Sequence, residues 1–321
     1  MIEHDTTELG LYLNDKENSF KNINKIKLES LSSPKITFDR PDRLNSSQWF
    51  EEAQRRQEVK NETEDNYNYA KIEVEADRPF YFGLTGDWHI GQQINLPMLK
   101  RDVEVIAEHP LVKGCCFLGD LTDSANFNPA QDENTLSFEE QTSMLMSILD
   151  SIPEDRLTAF WKGNHDHKWE SKGGTSKYIR IAEKYGKPVF YGNAFLEMIV
   201  NNDFNIRLLG SHQLKGSSIY NNAHPIVRCH REVQGLDLAF CGHTHRRGKI
   251  EQPIRIFNGS KTAMGCVVGT YEYGTGYTKD SGWGKMSDSE QGMWWLKIAH
   301  DWKDVQIMNT DQMLRDSRQY L

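Results

Sequence analysis

Asp87 and His89 stand two residues apart in "YFGLTGDWHIGQQ", directly behind a short apolar run. Four further apolar runs end in the same way. "GCCFLGDLTD" delivers Asp120 and Asp123, and "TAFWKGNHDH" delivers Asn164, His165 and Asp166. "NIRLLGSH" delivers His212, and "DLAFCGHTH" delivers His243 and His245. Any one of these motifs arises by accident. All of them in order, each behind an apolar run, are hard to attribute to chance. Carboxylate, amide oxygen and neutral imidazole together suit divalent metals of intermediate hardness. Two such ions about 3.5–4 Å apart need a shared ligand, which a carboxylate provides, and a hydroxide held between them is a nucleophile at neutral pH. Glycines before the Asp and His residues allow tight turns and close backbone approach.

The apolar runs read as strands, and amphipathic helical stretches alternate with them. "NLPMLKRDVEVIAEH" repeats Leu96, Leu99, Val103 and Ile106 at helical spacing. "SFEEQTSMLMSILDSI" opens with the capping-box pair Ser137 and Glu140. "TSKYIRIAEKYG" is a helix closing at Gly186, and "HPIVRCHREVQG" one opening near Pro225 and closing at Gly235. "FLEMIVNNDFNIRLLGSH" reads as two strands around an Asn-Asn-Asp turn, and "PIRIFNGS" as another strand. The pattern is an α/β plan. In open α/β sheets ligands bind beyond the carboxyl ends of the strands, so these strand ends can converge on one site.

At this level "GDWHIG", "GDLTD", "GNHD" and "GHTH" resemble the successive motifs of the calcineurin-like metallophosphoesterases, over about residues 78–260. The resemblance implies a four-layer α-β-β-α sandwich with a dinuclear metal centre. It implies Asp87, His89 and His245 on the first ion, Asp120 bridging, and Asn164, His212 and His243 on the second. His165 would be the general acid, with Asp123 orienting it. His212 has rivals in His224 and His230, but it alone follows a strand end. Nothing fixes the metal: manganese is favoured, and iron, zinc and nickel tolerate the same donors.

The motifs look more like the nuclease and phosphodiesterase branches than the Ser/Thr protein phosphatases, because Ser124 follows Asp123 and "GNHD" ends in Asp. The expected activity is metal-dependent hydrolysis of a nucleic-acid or nucleotide phosphodiester. A phosphomonoesterase and a metal-binding scaffold without catalysis are the alternatives. Arg246, Arg247, Lys249, Lys168 and Lys172 lie beside the motifs and could hold a phosphate backbone or be ordinary surface charge. Tyr271, Tyr273, Tyr277 and Trp283, in the Gly- and Tyr-rich stretch 265–292, could stack on bases or pack that stretch onto the core.

The whole chain excludes other classes. Its 321 residues carry 38 Lys and Arg against 46 Asp and Glu, a net charge of −8, so a strongly basic nucleic-acid grip is not a property of the whole molecule. No apolar run approaches the roughly 18 residues of a membrane span, and the N-terminus shows no secretory h-region. Cys115, Cys116, Cys229, Cys241 and Cys266 are odd in number and irregularly spaced, which suits buried free thiols and a reducing cytoplasm. Residues 1–75 read as a polar arm with one helical segment near Trp49 and Phe50, either a disordered tail or an arm laid on the core or on a second subunit. By the resemblance, residues 76–321 would form the metallophosphoesterase domain. His109, His167 and His300 read as structural or solvent-facing.

Overall fold

A computed structural model of the chain describes residues 45–51, 53–54, 69–124, 134–170, 176–216, 218, 220–256, 259–273, 289–299 and 304–321. Most of the arm, together with Lys172, Tyr277, Trp283, His300 and the side chain of Lys168, lies outside the described residues.

Two six-stranded sheets form the centre. The first contains β2 (Phe80–Thr85), β3 (Val112–Phe117), β4 (Leu157–Trp161) and β5 (Val189–Phe190), parallel and in that spatial order. β11 (Trp294–Ile298) runs antiparallel beside β2, and β12 (Gln306–Met308) beside β11. The second sheet has the order β1 (Tyr69–Val74), β6 (Ala194–Val200), β7 (Phe204–Ser211), β8 (Leu238–Cys241), β10 (Gly259–Val267) and β9 (Gly248–Ile256). There β7, β8 and β10 run parallel, while β6–β7 and β9–β10 are antiparallel hairpins.

Alternation along each strand decides the layers. Phe80, Phe82 and Leu84 of β2 join Cys116, Ala159, Trp161, Leu196, Leu208 and Phe240 in an apolar layer between the sheets. Tyr81, Cys115, Phe117 and Phe160 point the other way. They meet Leu99, Val103 and Ile106 of α1 (Leu96–Glu108), Leu145 and Leu149 of α2 (Phe138–Asp150), and Tyr178 and Ile181 of α4 (Lys177–Tyr185). α3 is the short helix Asn164–Glu170 between β4 and α4. Met313 of α6 (Thr310–Ser317) joins the same outer layer. On the far side of the second sheet, Leu209, Ala239, Cys241 and Val267 pack on Ile226 and Cys229 of α5 (His224–Glu232). The result is the expected four-layer α-β-β-α sandwich.

Local signals behave as their chemistry requires. Ser137 and Glu140 form both halves of the capping box, and Gly186 ends α4 with φ of 61°. Asn201 and Asn202 turn the β6–β7 hairpin with φ of 52° and 54°. All five cysteines are buried free thiols. Three details differ from the sequence reading. Leu96, placed on the apolar stripe of α1, sits in its first turn and is 52% exposed. β1 falls within residues 1–75, and its six residues pair with β6. Residues 46–51 and 53–54 are helical as expected, yet Trp49 and Phe50 are exposed rather than anchored among the described residues.

Candidate metal centre

The carboxyl ends of β2, β3 and β4 in one sheet meet those of β7 and β8 in the other. The ladder between β2 and β3 continues past the strands, with Asp87 N–H donating to Gly119 (2.9 Å) and His89 N–H to Asp120 (3.0 Å). Gly242 N–H donates to the His212 carbonyl (2.9 Å), which joins the β7 and β8 turns. Two glycines permit the crowding. A Cβ on Gly163 would lie 2.0 Å from Asp120 Oδ1, and one on Gly242 would lie 2.5 Å from Asp87 Oδ2.

Eight non-glycine residues among those described have positive φ, and six belong to these turns: Asp87, His89, Asp120, Ser124, His243 and His245. Left-handed backbone costs a non-glycine residue of order 1–3 kcal/mol and persists only where the surroundings impose it. Its concentration on five of the candidate donors marks them as held for a purpose other than stability.

The donors fall into adjoining sets. Asp87, His89 and His245 place ligand atoms within 4.8 Å of one another, as do Asp120, His212 and His243. In the first set His89 Nε2 is 3.0 Å from His245 Nε2, and Asp87 Oδ1 lies 3.9 and 3.8 Å from those nitrogens. In the second, Asn164 Oδ1 is 2.9 Å from His212 Nε2 and 2.8 Å from His243 Nδ1, while Asp120 Oδ2 is 3.2 Å from His212 Nε2. Asp87 Oδ2 accepts from His243 N–H (2.8 Å), which binds the two sets together.

Two atoms test the fit to cations. Asp87 Oδ1 and Asp120 Oδ2 are buried without a hydrogen-bond partner, each aimed at imidazole nitrogens. Buried carboxylate oxygens are normally paired or bound to a metal. The donor sets therefore fit metal cations.

Groups behind the donors fix their orientation. His212 Nδ1–H donates to the Leu118 carbonyl (2.6 Å), which turns Nε2 toward Asp120 and Asn164. His89 Nδ1 faces Asp123 Oδ1 at 3.4 Å, and His245 Nδ1 faces Glu272 Oε2 at 3.3 Å. Burial opposes charge on His89, but the hydrogen bond to Asp123 and the nearby acids prevail, raising its pKa to about 10. Burial likewise opposes charge on His212, but Asp120 prevails and raises it to about 9. On His243 burial dominates, aided by His212, and lowers the pKa.

His165 sits at the edge of the site. Its Nδ1–H donates to the Asp123 carbonyl (2.8 Å) and is 3.2 Å from Asp123 Oδ1. Burial opposes its protonation, but Asp123 outweighs this and raises its pKa. Asp123 itself is held far below the usual carboxylate range: burial works against this, and His165 and His89 overcome it. Gln92 Nε2 fixes its second oxygen at 3.0 Å.

Thus Asp87, His89, Asp120, Asp123, Asn164, His165, His212, His243 and His245 all come together. The two rivals do not. His230 is buried under α5 with Nε2 against the Met264 carbonyl (2.8 Å), and His224 opens that helix near Gly216. Arg247 stacks on Trp294 and donates to the Ser289 carbonyl, and Lys249 donates to the Ile307 carbonyl, so both are engaged within the fold. Tyr271 is fully buried with its hydroxyl on Asp102 (2.8 Å), so it packs its segment onto the core. Sequence reasoning missed Glu272, although it follows β10, a further strand end on the same side. A cavity of about 570 Å³ opens beside His243, lined by Gln213, Leu214, Lys215, Gly216 and Thr244.

No family model matches the chain, and no curated protein matches it. Among solved structures, Vps29 of Chaetomium thermophilum, in complex with a cyclic peptide, aligns at 10% identity with a TM-score of 0.31, covering 72% of this chain and 96% of that one. Vps29 of Entamoeba histolytica, in complex with zinc, aligns at 11% identity with a TM-score of 0.31, covering 72% of this chain and 98% of that one. Among the described residues, no helix is long and apolar enough to cross a membrane.

Proposed function

We propose that the chain is a dinuclear metal-dependent phosphoesterase that hydrolyses a phosphodiester of a nucleic acid or nucleotide. The observation that carries this reading is the pair of buried, unpartnered carboxylate oxygens, Asp87 Oδ1 and Asp120 Oδ2, each facing imidazole nitrogens. Asp87, His89 and His245 would hold one ion and Asn164, His212 and His243 the other, with Asp120 as the shared carboxylate. When bound, two divalent ions supply a nucleophile at neutral pH and neutralise charge on the phosphoryl oxygens.

The chain's own residues do the rest. His165 keeps one nitrogen on Asp123, which leaves the other free to deliver a proton to the departing oxygen. Asp123 fixes the imidazole of His165 and that of His89 through the same oxygen. The cavity beside His243, with Lys215 and Thr244 in its lining, gives space for an ester substituent next to the donors.

The test uses purified full-length chain, Mn²⁺, bis(p-nitrophenyl) phosphate and p-nitrophenyl phosphate. Faster hydrolysis of the diester, abolished by chelator and restored by Mn²⁺, is expected. Preference for the monoester would reassign the chain as a phosphomonoesterase. Loaded protein that cleaves neither ester would leave a metal-binding scaffold.

A further inference from the structure

Behind the donors lies a buried charge that the chemistry above does not use. Lys177 is the first residue of α4, yet only 4% of it is exposed. A cation in the first turn opposes the helix dipole, so the helix gives no reason for a lysine there. Its acceptors do. The ammonium forms an ion pair with Asp166 Oδ1 and donates to Thr122 Oγ1 and to Ser124 Oγ (2.9 Å).

Those partners are placed to matter. Thr122 and Ser124 flank Asp123, and their hydroxyls lie 2.7 Å apart. Ser124 holds a left-handed backbone, φ 50°. The other oxygen of Asp166 accepts from Asp120 N–H (3.1 Å) and Gly163 N–H (2.8 Å). Asp120 Oδ1 in turn accepts from His165 N–H at 2.9 Å. One ammonium thereby ties the turn after β3, which carries Asp120 and Asp123, to the turn after β4, which carries Asn164 and His165.

We propose that Lys177, acting through Asp166, Thr122 and Ser124, is a positioning residue that sets the spacing of Asp120 against Asn164 and His165 and so sets metal affinity. This rests on the metal-centre reading. Groups behind metal ligands typically change affinity by about 10–100-fold when removed, and that range is expected here.

The experiment measures Mn²⁺ binding to the full chain by titration calorimetry, and kcat and KM on bis(p-nitrophenyl) phosphate. Lys177→Met is expected to weaken Mn²⁺ binding by about 10–100-fold and to lower kcat, with KM little changed. That variant leaves the Asp166 carboxylate buried without its cation and can fail to fold. The double variant Lys177→Met/Asp166→Asn removes both charges and keeps an oxygen to accept from Asp120 and Gly163. If the ammonium positions the turns, the folded double variant still binds Mn²⁺ weakly. Wild-type affinity and kcat in the folded double variant would show that Lys177 only neutralises Asp166, and would overturn the proposal. Wild-type chain that binds no Mn²⁺ would remove the metal-centre reading and this one with it.

Discussion

His165 and the metal donors fail differently when changed. His165→Ala removes a proton donor and no ligand, so metal content should stay at the wild-type level while turnover falls by about 10²–10⁴-fold. The loss should be smaller for an ester with a p-nitrophenolate leaving group than for an alkyl ester, and equal losses on both would contradict the acid role. The ligand histidines predict a pH effect of definite sign. His89 and His212 have folded pKa values raised to about 10 and about 9, above the ordinary 6.5. In metal-free protein their stabilisation is fully present below about pH 6.5 and is lost as pH rises through 9 to 10. Cation binding needs them deprotonated, so loaded protein should lose stability at low pH instead. Tm measured from pH 6 to 10 with chelator and with Mn²⁺ should therefore trend in opposite directions. Parallel trends would mean that these two rings do not ligate.

Each element brings its donor by ending where it does, and the turn glycines set how closely the elements approach. Gly163→Ala would put a methyl 2.0 Å from Asp120 Oδ1, where the turn after β4 meets the turn after β3. We expect this variant to lose Mn²⁺ from the centre while keeping its circular dichroism. Gly192→Ala, with nothing within 4 Å of its new methyl, should match wild type and serve as the control. Retained Mn²⁺ affinity in Gly163→Ala would show that the turn has slack. The donors themselves were legible in the sequence because each follows an apolar run, and the strand-end rule separated His212 from His224 and His230. What supports them was not legible. Glu272 and Lys177 reach the site from 27 residues past His245 and from a helix N-terminus, and only tertiary packing shows that they face His245 and Asp166. The contacts of the basic stretch after His245 were not legible for a related reason: Trp294 comes from a strand of the other sheet, and its ring engages Arg247 and Lys249.

For the molecule as a whole, the described donors all follow strands of the two sheets. Removing residues 1–44 should leave Mn²⁺ binding and Tm unchanged. Removing residues 1–74 also takes β1, whose six residues pair with β6 and whose Tyr69 hydroxyl donates to Glu197 (2.7 Å). The bared β6 edge should lower Tm and promote association, read by light scattering. Equal behaviour of the two truncations would assign β1 no role in holding the sheet. The left-handed donors described earlier have a consequence for the history of such a chain. At Asp87, His89, Asp120, His243 and His245 the backbone suits glycine or asparagine better than the residue present. A population screened only for folding, with metal chelated, should drift toward Gly and Asn there, gaining thermal tolerance as it discards its chemistry. Deep sequencing of a library carried through that screen would read the drift directly, and donors that stay put without metal would show that folding, rather than use, keeps them.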